Sequence, residues 1–132
     1  MIRIDPRDGT PIYRQVIDQV KLMVMTGQYE PGDQLESVSN LAARLKVNPM
    51  TISKAYGLLV GDGVAERRKG VGIFVTAISE KKADRERQQL LNASLKEAAG
   101  LVVQLNVPRP EAVAQFNAHM DNFEKKKGSR KS

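Results

Sequence analysis

The chain has no cysteine and no tryptophan, and it carries a single histidine, three tyrosines and three phenylalanines. The missing cysteines exclude disulfides, thiolate metal sites and cysteine nucleophiles, and they agree with a reducing compartment. The one histidine, His119, sits at helical spacing among Phe116, Met120 and Phe123 and reads as a partly exposed helix residue. No Ser–His–Asp set or metal-ligand cluster stands out, and Glu97, Glu111 and Asp121 read as solvated helix charges. Neither catalysis nor a metal or cofactor is therefore expected. No apolar run approaches the roughly 18 residues of a membrane span. The opening MIRIDPRDG has no apolar signal core, so a soluble cytoplasmic protein is the expectation.

The 132 residues hold one ordinary domain, or a small domain with an appendage. Hydrophobic residues make up 41%, enough for a packed core. Lys and Arg number 21 against 15 Asp and Glu, a net charge of +6, which favours an acidic partner. Nucleic acid is the commonest such partner, although a basic protein can also be merely a soluble basic protein.

Residues 1–10 permit a short extended arm, with Ile2 and Ile4 alternating with Arg3 and Asp5. Thr10-Pro11 reads as an N-cap and first helical residue. Tyr13, Val16, Ile17, Val20 and Val24 then form one apolar stripe, which Gly27 ends. Ser37 can cap a second helix to about Lys46, with Val38, Leu41, Ala42 and Leu45 inward. Asn48-Pro49 starts a third helix that reaches about Gly61, with Ile52, Ala55, Tyr56 and Leu59 inward. Residues 64–68 and 73–76 read as two strands around the tip Lys69-Gly70-Val71-Gly72, a hairpin that must lean on the helices to be stable. This order is the layout of a winged helix-turn-helix.

In that layout the second helix of the pair offers its N-terminal residues to base edges. Here these are Asn48, Met50, Thr51, Ser53 and Lys54. Asn48 can cap and face phosphate. Thr51 offers a hydroxyl and a methyl, and Lys54 can reach guanine or phosphate. The competing account is that Asn48 only caps and Thr51 only fills a solvated face. On the hairpin, Arg67 and Lys69 share one face and Arg68 takes the other. Glycine at Gly70 and Gly72 permits positive backbone torsions and close approach to a sugar–phosphate chain. A basic tip of little bulk suits the minor groove, although such hairpins also occur without any ligand.

Beyond residue 78 the composition shifts to Glu, Lys, Ala, Leu and Gln. Leu91, Leu95, Ala98, Val102 and Leu105 recur at spacings of four and three, a helical seam. Pro108 and Pro110 break it, and residues 111–124 form another helix with Val113, Phe116, Met120 and Phe123 on one face. The seam either packs within the chain on this last helix or is completed by a second copy. The expected organisation is a DNA-binding domain over 1–78, a two-helix module over 79–124 and a basic disordered tail over 125–132. The fold class is mainly α: a winged helix-turn-helix of three helices and a two-stranded wing, followed by a helical hairpin.

The run from Pro11 to Val75 resembles the bacterial GntR family of transcription regulators. The resemblance rests on PIYRQ, then G-x-Y-x-PGD-x-L, S-V-x-x-LA, VN-P-x-T-x-S-K-AY and G-x-G-x-FV. The short two-helix end resembles the YtrA-type subfamily. What the resemblance implies is a homodimer, most often a repressor, that binds a pseudo-palindromic double-stranded DNA operator. It implies base contacts at Asn48, Met50, Thr51, Ser53 and Lys54, minor-groove contacts at Lys69 and Gly70 with Arg68 beside them, and a phosphate contact at Ser37. It also implies dimerisation through residues 79–124. Many relatives read Leu-Pro-Ser-Val-Arg where this chain has Leu35-Glu36-Ser37-Val38-Ser39. Ser39 thus stands at a DNA-contacting arginine, and Glu36 adds a charge that phosphate repels. Val71 stands where arginine is frequent, with Arg67 able to compensate. The subfamily carries no dedicated ligand domain, so the identity of any small-molecule effector is left open. The alternative function is a winged-helix protein-interaction module without an operator.

Overall fold

The computed structural model describes residues 1–131. Among them the order is α1 (Ile12–Met25), α2 (Val38–Leu45), α3 (Pro49–Gly61), β1 (Ala65–Arg68), β2 (Gly72–Val75), α4 (Glu80–Gln104) and α5 (Arg109–Lys131). The fold is mainly helical with one antiparallel pair, as the sequence pattern predicts. The chain divides into two compact units, Met1–Leu90 and the remainder from Leu91.

The core of the first unit forms where the three short helices turn their apolar faces together. Val16, Ile17 and Val20 of α1 meet Leu41 of α2 and Ile52, Ala55, Tyr56 and Leu59 of α3, with Val64, Ile73 and Val75 closing it from the hairpin. Full burial of such a side chain contributes about 1.5–3 kcal/mol. The predicted inward positions of α3 are all buried, whereas Val38 and Leu45 of α2 are only partly so. The N-terminal arm is drawn in too: Ile2 is buried, and its carbonyl accepts from Arg44 Nη1 at 3.0 Å.

Two local expectations need correction, at the start of α1 and at the end of α5. Thr10 does not cap α1. Pro11 occupies that position with no side-chain hydrogen bond, because Thr10 is held otherwise: its N–H donates to Asp8 Oδ1 and its carbonyl accepts from Gln15 Nε2. The first turns of α4 are bound to the first unit, which runs to Leu90. Lys21 of α1 lies 3.1 Å from Asp62 and 2.9 Å from Glu86 of α4, and Lys82 Nζ donates to the Asp62 carbonyl. The disordered tail over 125–132 is instead helix as far as Lys131, with Ser132 outside the described residues. Lysine is a good helix former, and cations near a helix C-terminus suit its dipole.

Lys21 and Glu86 are the buried charged residues of the described chain. Burial alone pulls the Lys21 pKa down, but Glu86 and Asp62 outweigh it and leave the pKa above the ordinary lysine value. Lys21→Ala strands Glu86 without its cation and should cost about 3 kcal/mol in urea unfolding, whereas the apolar pair Lys21→Met with Glu86→Leu should recover most of that loss. A single variant as stable as the wild type would show that the pair contributes nothing.

Candidate nucleic-acid interface

Two caps build the helix-turn-helix. Ser37 Oγ accepts from the Asn40 N–H at 3.1 Å and opens α2. Asn48 Oδ1 accepts from the Met50 N–H at 2.8 Å and opens α3, with Pro49 in its first turn. Between them Lys46 takes the left-handed conformation, φ 58°, and reverses the chain tightly. Tyr56 fixes the rest: its hydroxyl donates to the Glu36 carbonyl at 2.7 Å. Burial pushes the Tyr56 phenol far above the usual tyrosine range, so it stays a protonated donor.

The start of α3 presents Asn48, Met50, Ser53 and Lys54 to solvent, and Met50 is 77% exposed. An unbranched apolar side chain so exposed on a helix start is available for contact with a base edge. Thr51 is half-buried, so less of it is free than the spacing suggests. Lys54 is not a free-swinging cation. Its Nζ sits 4.0 Å from the Tyr13 ring centroid, over the aromatic face, a contact worth about 0.5–1 kcal/mol at an exposed site. Tyr13 was legible only as a member of the α1 stripe. No local spacing links it to Lys54.

The wing pairs Ala65 with Val75 and Arg68 with Gly72. Gly70, φ 77°, makes its tip. Arg68 is engaged within the hairpin. It lies 4.0 Å over the Phe74 ring and bonds Glu66 at 2.9 Å, so it covers the outer face of the hairpin. Arg67 and Lys69 are exposed and make no ion pair among the described residues. They are the wing cations open to a partner, with Val71 beside them. A cleft of about 400 Å³ is lined by this tip and by the segment 34–38 that leads into α2.

Glu36 also differs from the expectation of a free anion. Its two oxygens accept from Arg44 Nη2 at 2.8 Å and Nε at 3.3 Å. This bidentate bond raises the Arg44 pKa further. The carboxylate next to Ser37 is therefore neutralised locally. Ser39 is exposed on the first turn of α2.

Asn48→Ala removes the acceptor that opens α3 and should lower stability by about 1 kcal/mol, with Asn48→Asp retaining most of it. Chemical denaturation measures both, and equal loss in the two variants would remove the capping role.

Residues 12–75 match the model of the bacterial regulatory proteins, gntR family. The HTH-type transcriptional repressor YtrA of Bacillus subtilis (strain 168) is 38% identical over 97 residues, 74% of this chain and 75% of that protein. Among solved structures, YtrA from Sulfolobus acidocaldarius, a GntR-family transcription factor, is 34% identical with a TM-score of 0.56, over 72% of this chain and 97% of that one. AraR(DBD) in complex with operator ORX1 is 28% identical with a TM-score of 0.51, over 56% of this chain and 92% of that one. With its two capped helices and its wing, the chain belongs to the GntR family of bacterial transcription regulators and is of the YtrA type.

Proposed function

We propose that the chain is a cytoplasmic, homodimeric repressor that occupies a pseudo-palindromic operator and occludes a promoter. The observation that carries this reading is that, from Leu91 to Gly128, no residue is buried. Leu91, Leu95, Leu105, Val113, Phe116, Met120 and Phe123 are all 40% exposed or more, and Val102 is half-buried. The alternative of a seam closed within the chain loses support, because α4 and α5 leave these faces open. A second copy would cover them together with Ala98, through residues 79–124, and would supply the twofold symmetry that paired half-sites need. The start of α3 would read the major groove. The wing tip at Arg67, Lys69 and Gly70 would enter the minor groove, and Ser37 would meet a phosphate. The repressor named in Bacillus subtilis supports repression rather than activation. The reading as a protein-interaction module rested on Glu36 and Ser39, and pairing of Glu36 with Arg44 removes half of that basis.

Selection from random double-stranded DNA should enrich one motif with two inverted half-sites. A pool without enrichment would favour the interaction module. Val102→Asp places a charge in the seam and should give monomers by light scattering, with loss of two-half-site binding. A persistent dimer would place the interface elsewhere.

Arg44→Ala frees the Glu36 charge beside Ser37. It should weaken operator binding by up to about 1 kcal/mol, roughly fivefold, and the deficit should shrink as salt rises. The double variant Glu36→Ala with Arg44→Ala should regain the wild-type affinity in a fluorescence titration. A double variant as weak as the single one would assign the loss to the Ile2–Arg44 contact instead.

A further inference from the structure

The wing has a third edge that its sequence does not announce. On the side of β2 away from β1, the segment before α2 runs alongside. The Leu35 N–H donates to the Ile73 carbonyl at 2.8 Å, the Val75 N–H donates to the Asp33 carbonyl at 2.8 Å, and Gln34 forms a bridge with Phe74. From that position the Gln34 side chain extends along the strand, and its Nε2 donates to the Val71 carbonyl at 3.1 Å. Val71 and its neighbours form the tip, which is otherwise closed by the Val71 N–H on the Arg68 carbonyl at 2.9 Å.

Gly72 makes room for this strut. A Cβ there would lie 2.6 Å from Gln34 Nε2, and its φ of 148° already favours glycine. The amide of an exposed residue is thus enclosed by a glycine and spent on a backbone carbonyl. Three residues further on, the same segment supplies Ser37, the cap of α2. One stretch of chain therefore holds the wing tip and opens the helix-turn-helix, with the cleft between them bounded by both.

We infer that Gln34 is a positioning residue for the wing: by holding the Val71 carbonyl it sets the angle at which Lys69, Gly70 and Val71 meet the minor groove. Gln34 acts through the tip and needs no contact of its own with a base. The inference rests on the proposed reading of DNA by helix and wing. The backbone bonds of Leu35 and Asp33 reach only Ile73 and Val75, so Gln34 is the tie among the described residues between that segment and the tip. A tip without that tie would sample several orientations, and ordering them on binding would cost affinity.

The test uses the full-length chain and the operator recovered by selection. Gln34→Met keeps the length and removes the donor. At the wing-contacted positions, guanine is replaced by inosine, which deletes the minor-groove amino group and leaves the major-groove edge intact. The wild type should distinguish the two by about tenfold, and Gln34→Met should reduce this to about twofold, with discrimination at the positions read by α3 unchanged. Gly72→Ala, which evicts the amide from the other side, should reproduce the same selective loss. Equal loss at both sets of positions, or no loss at either, would overturn the role of Gln34. So would a wild type that reads the major groove but ignores the inosine exchange. Failure of the wild type to enrich any motif would instead overturn the DNA reading on which the inference rests.

Discussion

The ammonium of Lys21 is the constraint on which the first unit depends. It lies between a carboxylate that closes α3 and a carboxylate from α4, and both Lys21 and Glu86 are buried. A buried charge in a poorly polarisable interior is tolerated only when paired. The pairing is also directional, which an apolar contact is not. It fixes where α1, α3 and the first turns of α4 meet. Lys82 adds a donor on the Asp62 carbonyl at the same point, where the C-terminal end of α3 carries partial negative charge. Asn48 holds the other end of α3, and Tyr56 ties its middle to the segment before α2. A helix held at start, middle and end is what insertion into a groove requires, because little ordering is left to be done on binding.

The cations divide by occupation. Lys21, Lys82, Arg44 and Arg68 are engaged by carboxylates, carbonyls or an aromatic face. Arg67 and Lys69 at the wing have no carboxylate partner among the described residues, and Lys54 is guided by Tyr13 without being neutralised. The net charge of +6 therefore understates how the basic residues are sorted. At the wing tip and the start of α3, cations thus remain open to a polyanion, while Lys21, Arg44 and Arg68 are taken up by internal ion pairs. Glu36 belongs to the absorbed set, so the feature that looked most hostile to phosphate is a structural ion pair beside the α2 cap.

The helices, their caps at Ser37 and Asn48, and the four inward positions of α3 were legible in the sequence because they depend on residues two to four apart. The hairpin was legible from its glycines and its alternation. What local pattern does not encode is contact between distant segments. Gln34 on Val71, Glu36 with Arg44, Lys54 over Tyr13 and Lys21 with Glu86 each join residues that no periodicity relates. Arg68 shows the limit within a single element. Alternation placed it opposite Arg67, but whether that face met solvent, a partner or Phe74 depended on the partner strand. Helix ends were similarly open: the lysines after residue 124 were read as a solvated tail, and nothing in their spacing distinguishes that from the last turns of α5.

The units from Met1 and from Leu91 differ in a way that composition conceals. The first buries apolar residues from α1, α2 and α3, whereas the second leaves every residue from Leu91 to Gly128 exposed or half-exposed. Two helices joined by the short turn at Asn106, φ 55°, cannot enclose a core of their own at this length. Yet α4 and α5 run long and carry apolar residues at a helical period, which isolated helices in water do not need. The proposed second copy would supply the neighbour that these uncovered faces lack. Because the same face recurs on both helices, another copy of the pair would fit it, and self-complementary seams close into twofold assemblies. That symmetry is also what the proposed reading of paired half-sites needs.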